Sequence, residues 1–137
     1  MSEANARTTR RGDTEEYYRR ATREMSLTPQ EQYLYQHHLN NLYGSGKVLQ
    51  GRDVSTILQR VVDGPDGRYY NIPSVWDGQV LSEDDAKAKA GEIGWDKWPG
   101  YQTAEGAEGR YGLMHDYMAR DVSVWRNLRR PAGVSAR

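Results

Sequence analysis

The chain contains no cysteine, which excludes disulfides and thiolate metal ligands and fits a reducing compartment or a fold that needs no cross-links. It also lacks phenylalanine, while tyrosine occurs 10 times and tryptophan 4 times. Its aromatic surface therefore comes from rings with a hydrogen-bonding group, which suit half-buried positions and contact surfaces. No apolar run is long enough to span a bilayer, and the opening residues, Met1 to Arg7, carry no hydrophobic segment of the signal-peptide type. The expectation is a soluble chain with no membrane partner, not exported by the usual route. Net charge is missing as well, since 19 basic and 19 acidic side chains cancel. Their distribution is uneven. Acids outnumber bases across residues 26–120, whereas the tail sets Arg126, Arg129, Arg130 and Arg137 against Asp121. Such a tail stays solvated, docks on a partner, or binds nucleic acid through counterion release.

The 137 residues suit one domain with a small core and polar tails. The most core-like stretch runs from Arg68 to Gly78, where Tyr70, Ile72 and Trp76 are the candidate core residues. Before it, Gly64-Pro65-Asp66-Gly67 is a turn signal. The β-branched run Ser55 to Val62 predicts a first strand, so the two segments read as a hairpin. Alternation places Tyr70, Ile72 and Ser74 on one face and Tyr69, Asn71 and Pro73 on the other. Pairing should fail at Pro73, which has no N–H to give. A lone hairpin is marginal in water and needs a helical layer over one face.

Four helices are predicted around it. Residues 1–12 read as a disordered or partner-ordered arm, followed by a short helix from Asp13 to Met25 with Tyr17, Tyr18, Ala21 and Met25 as a narrow apolar stripe. Arg19, Arg20 and Arg23 pair locally with Glu15, Glu16 and Glu24. Thr28-Pro29-Gln30-Glu31 is the clearest helix start, a capping box with proline at the first helical position. That helix should stop at Gly44. Its adjacent His37 and His38 point about 100° apart, so they cannot share a metal, and one should pack while the other is solvated. Ser82-Glu83-Asp84-Asp85 caps a third helix ending at Gly94. Trp95 to Tyr101 cannot be helical before Pro99 and reads as a loop folded on the core edge. Its rings Trp95, Trp98 and Tyr101 are also candidate partner contacts. Thr103 caps a last helix to Asp121, with Ala107, Tyr111, Met114 and Met118 at helical spacing as its buried stripe. Tyr111 and Met114 complete the candidate core. Residues 122–137 read as a basic arm in which Trp125, Arg126, Arg129 and Arg130 dock on a partner.

The segment Tyr70 to Gly78, Tyr-Asn-Ile-Pro-Ser-Val-Trp-Asp-Gly, and the later set Thr103, Glu105, Ala107, Glu108, Arg110, Tyr111, Met114 and His115 together resemble a small domain of tailed-bacteriophage proteins. The resemblance covers rather under half of the chain. It implies a component found in short phage proteins and within large virion-associated polypeptides, without assigned catalytic residues. Gly106 and Gly109 depart from good helix formers and should loosen the start of the last helix.

The fold class expected is α+β, mainly helical with one short β-hairpin, flanked by extended or partner-ordered tails. Its parts are an arm over 1–25, a domain over 26–121 and a basic arm over 122–137. The function expected is that of a non-enzymatic phage structural or assembly protein, in the virion and in the host cytoplasm during assembly. It would bind other phage structural proteins in a homo-oligomeric or symmetric assembly through Tyr17, Tyr18, Arg19, Arg20, Trp95, Trp98, Tyr101, Trp125 and the C-terminal arginines. The alternative is a nucleic-acid-binding or ejected accessory protein using Arg7, Arg10, Arg11, Arg126, Arg129 and Arg130 on phosphates. No cofactor and no metal site are expected. A hydrolase built on His37, His38 and His115 with Asp116 matches no ligand spacing. Glu83, Asp84 and Asp85 serve a helix N-terminus better than acid–base chemistry.

Overall fold

Helix α2 (Pro29–Tyr43) forms where its capping signature stands: the Thr28 side chain accepts from the Glu31 N–H and the Glu31 carboxylate accepts from the Thr28 N–H. In this computed structural model the described residues are 3–128, with side chains from Gly12 onward. Around α2 lie α1 (Glu3–Glu24), α3 (Glu83–Ile93) and α4 (Ala104–Leu128). The strands are β1 (Val48–Gln50), β2 (Asp53–Ser55), β3 (Arg60–Asp63), β4 (Tyr69–Ile72), β5 (Val75–Trp76), β6 (Gln79–Val80) and β7 (Gly100–Tyr101). The class is α+β and mainly helical. In place of one hairpin there are three small antiparallel sheets, β1-β2, β3-β4-β7 and β5-β6.

The expected strand from Ser55 to Val62 is broken because Leu58 takes a left-handed φ of 45°, a conformation that no strand can run through. Residues 56–59 cross between sheets, and only Arg60 to Asp63 pair with β4. β4 ends at Ile72, immediately before Pro73, as the missing donor requires. Strict alternation fails at Asn71. It is fully buried together with Tyr70 and Ile72, because α4 closes over its face and the Asn71 amide donates to the Ala107 carbonyl at 2.9 Å. Trp95–Lys97 form a 3₁₀ turn rather than open loop, and Gly100-Tyr101 then joins β4 as β7.

The ends differ most from expectation. α1 starts at Glu3, because a helix once nucleated extends cheaply through alanine and arginine, and Gly12 alone costs about 1 kcal/mol. α4 continues past Asp121 to Leu128. Met114, Met118, Asp121 and Trp125, buried at successive spacings of four, three and four, prolong a single stripe. The two helices pack antiparallel. The Tyr117 hydroxyl donates to Glu24 at 2.6 Å, and one step further along Tyr18 stacks on Tyr35, which reaches Asp121. The core lies where α2 and α4 meet the sheets, around Leu34, Leu39, Ile57, Ile72, Met114 and Met118.

Candidate functional site

Tyr35 and His38 stand three apart on α2 and so share a face, directed at α4 and at the crossing segment after β2. The Tyr35 hydroxyl donates to Asp121 Oδ2 at 2.7 Å, and His38 Nε2 lies 3.0 Å from the same oxygen. With Nε2 carrying the proton, Nδ1 accepts from the Thr56 hydroxyl at 2.6 Å. The connectivity is that of a hydroxyl–imidazole–carboxylate relay. Its setting is an interior one: His38 and Asp121 are 0 % exposed and Thr56 is 7 % exposed. Burial pushes the His38 imidazole below its ordinary value against the opposing pull of Asp121, so the neutral ring is the resident form. Burial, with the Asp121 carboxylate next, pushes the Tyr35 phenol up. Asp121 Oδ1 finds no partner among the described residues. Beside the relay runs a groove of about 270 Å³ whose walls include Thr56, Leu58, Tyr111, His115 and Met118.

A second polar node sits at the start of α2. Glu31, 1 % exposed, receives Arg110 Nε at 2.9 Å and a second Arg110 nitrogen at 2.8 Å, with the Tyr101 hydroxyl at 2.6 Å. Arg110 also donates to the Met25 carbonyl at 2.9 Å. Burial pushes the Glu31 carboxyl up, but Arg110, Tyr101 and the Thr28 N–H together outweigh it and hold it below its ordinary value. One carboxylate thus ties the α1–α2 turn, β7 and α4 to α2.

The third feature is aromatic. Trp98 is 1 % exposed; its ring lies 5.0 Å from Tyr33 and 6.2 Å from Trp76, and its indole N–H donates to the Ala90 carbonyl at 3.2 Å. Trp98 is therefore a core residue and not a partner contact. Trp125 is corrected likewise: it is 9 % exposed on the stripe of α4, with the Lys47 ammonium 5.1 Å over its ring. Trp76 is half-buried and anchors β5 to α2, 4.5 Å from the His37 ring. His37 is not the solvated member of its pair; it is half-buried and donates to the Val75 carbonyl at 2.9 Å.

Of the other expected contact residues, Tyr18 is drawn into the core margin, bonded to Gln32. Trp95 rests on Tyr70 at 5.0 Å. Tyr101 serves Glu31, Arg20 pairs with Glu16 at 2.7 Å, and Tyr17 lies half-buried beneath Arg20. Arg19 and Arg126 face solvent. Arg129 and Arg130 lie outside the described residues, as do the side chains of Arg7, Arg10 and Arg11. Tyr70, Ile72 and Met114 are buried and Tyr111 is partly so. His38 and His115 border one groove while His37 packs against Trp76 and Trp98, so the three histidines form no single cluster. Among the described residues no three histidine or carboxylate side chains are placed to hold a metal, and no helix is long and apolar enough to cross a membrane.

Sequence reasoning missed Thr56, Asp121, Asn71 and the long-range half of Glu31. The signal for Asp121 was its place as an acid on an apolar stripe, which demands a buried partner. No family model matches the chain, and neither a curated protein nor a solved structure matches it.

Proposed function

We propose that the chain is a non-enzymatic structural or assembly protein of a tailed-bacteriophage particle, binding neighbouring subunits in a homo-oligomeric or symmetric arrangement through its terminal helices and outward side chains. The observation that carries this reading is how the reactive residue types are used. His38, Thr56, Asp121 and Glu31 join separate elements from inside the fold, Glu31 through the half-buried Arg110, which leaves Thr56 almost no face from which a substrate could be attacked. The residues of the phage-like motifs serve the fold in the same way: Asn71 of the first holds Ala107 of the second, and Arg110 holds Glu31. A set of residues that encodes a scaffold leaves recognition to the surface, where Tyr33, Leu49, Leu58, Tyr69, Val80 and Leu113 are each more than a third exposed.

Quantitative mass spectrometry of purified, nuclease-treated virions of the source phage tests this proposal. The protein is expected at a fixed ratio to the capsid or portal protein, and that ratio separates a shell-wide component from a ring at one vertex. Its absence from particles would overturn the virion role.

A further inference from the structure

Two hollows adjoin where the start of α2 meets the 3₁₀ turn. The first, of about 270 Å³, has Trp95, Tyr101, Arg68, Gln30 and Asp96 in its walls, with Tyr70 behind them. The second, of about 250 Å³, lies between Pro29, Tyr33 and Lys97 and shares Gln30 and Asp96 with the first. Their common wall is tied where the Gln30 amide donates to the Asp96 backbone carbonyl at 3.4 Å. Glycine makes room for the first hollow, since a Cβ at Gly64 or Gly100 would stand 2.4 or 2.8 Å from the Tyr70 ring on which Trp95 rests. The polar groups around the two hollows are only partly used. Arg68 gives one nitrogen to the Gly100 carbonyl at 2.7 Å, and the rest of its guanidinium has no partner among the described residues. The Asp96 carboxylate, the Lys97 ammonium, the Tyr33 hydroxyl and the Trp95 indole N–H have none there either. Trp95 is half-buried, yet its N–H is not sealed from water. Charge is balanced: Arg68 and Lys97 stand against Asp96 and Asp66, the latter bonded to the Tyr70 hydroxyl beside Arg68.

We propose that the two hollows form a binding site for a neutral oligosaccharide, with one sugar ring in each. Both are smaller than the roughly 300–1,000 Å³ of pockets for drug-sized molecules, so each takes a single small ring. The free groups select the chemistry of that ring. A phosphate backbone calls for an excess of cations, whereas here the charges cancel and Asp96 stands between the hollows. An apolar ligand would strip water from Asp96 and Arg68 and return nothing. A proline-rich peptide has no N–H on its prolines to give, and so leaves the Asp96 carboxylate without a donor. Sugar hydroxyls both donate and accept. Two neighbouring hydroxyls can therefore span a carboxylate or a guanidinium in the two-pronged manner, while the C–H face of the ring covers the half-buried rings of Trp95 and Tyr101 or the exposed ring of Tyr33. The inference stands apart from the virion reading, since it concerns what one cleft holds and not where the protein resides.

The test uses proton–nitrogen correlation spectra of the full-length labelled protein, titrated with cellobiose, maltose, lactose and N,N′-diacetylchitobiose, and with methyl glucoside as a single ring. The 4 tryptophans give separate indole signals, and Trp95→Phe identifies that of Trp95. At least one disaccharide should shift the Trp95 indole and the Gln30 side-chain amide saturably, while the indole of Trp125, buried beside Lys47, stays in place. Its midpoint should lie about tenfold or more below that of methyl glucoside, because the second ring adds its own hydrogen bonds. Asp96→Ala removes a carboxylate that bonds nothing among the described residues, so the fold is retained and the rest of the spectrum is unchanged; the midpoint should rise about tenfold or more. Asp84→Ala, in the first turn of α3, should leave it as it was. Absence of a Trp95 shift with all four disaccharides overturns the proposal. So does an Asp96→Ala midpoint equal to the wild type, an equal loss in Asp84→Ala, or a midpoint for methyl glucoside as low as for any disaccharide. A decaproline peptide or a short single-stranded DNA that moves the same signals at lower concentration than every sugar overturns it too.

Discussion

Asp121 joins α4 to α2 from inside the fold, because one of its oxygens satisfies both a phenol and an imidazole in a region closed to water. Buried donors left without an acceptor each cost about 1–3 kcal/mol. Asp121→Ala strands the Tyr35 hydroxyl and the His38 N–H together and should lower unfolding stability by about 3 kcal/mol, measured as a reduced denaturant midpoint at unchanged slope. A loss below about 0.5 kcal/mol, the range of ordinary surface substitutions, would mean that the network holds nothing. At this scale the sequence was partly legible. Tyr70, Ile72 and Met114 declare themselves by apolar character at the right spacing, and they are buried. Trp98 and Trp125 misled because tryptophan among prolines, lysines or arginines has the composition of a contact surface. Only the third dimension places Ala90 and Lys47 beside them.

Helix starts were the most readable elements, since a cap is a local event: Thr28, Ser82 and Thr103 each accept the backbone N–H that their position demands. Helix ends and strands were less so. α4 runs beyond Asp121 because Trp125 keeps the buried stripe going, and the strand after Ser55 fails because Leu58 turns left-handed beside the buried Ile57, whose carbonyl accepts from the Ser74 and Val75 N–H groups, a long-range tie that no local pattern records. The same helix carries an avoidable weakness. Gly109 and Gly112 have open space where a Cβ would stand, whereas Gly106 would meet the capping oxygen of Thr103 at 3.0 Å. Gly109→Ala and Gly112→Ala should each raise stability by about 1 kcal/mol, read as a higher thermal midpoint, with Gly106→Ala gaining less. A neutral or negative effect at 109 and 112 would show that the α4 surface there is already occupied, for instance in an assembly.

For the whole molecule, acid should act in two stages. His37 and His38 are both held below their ordinary value of 6.5, chiefly by burial. The unfolded chain therefore binds protons that the folded chain refuses. Stability is complete above pH 6.5 and declines below it, by up to about 1.4 kcal/mol per pH unit for each ring. Glu31 is held below its ordinary value of 4.5, so its contribution is present above that pH and is lost on further acidification. Thermal midpoints taken from pH 7.5 to 4 should fall first near 6.5 and more steeply below 4.5; a flat profile down to pH 5 would contradict buried neutral histidines. The antiparallel α1–α4 pairing has its own consequence in time. Tyr117 lies 93 residues after the Glu24 it bonds, and Arg110 lies 85 after Met25 and 79 after the Glu31 it neutralises, so the contacts that close the core span more than half of the chain. Local helices can form as the polypeptide leaves the ribosome, but loop closures this long come late and slow the approach to the native state. Until the last helix emerges, Glu31 waits without its cation and the apolar face of α2 stays uncovered. The newborn protein is then most in need of a chaperone.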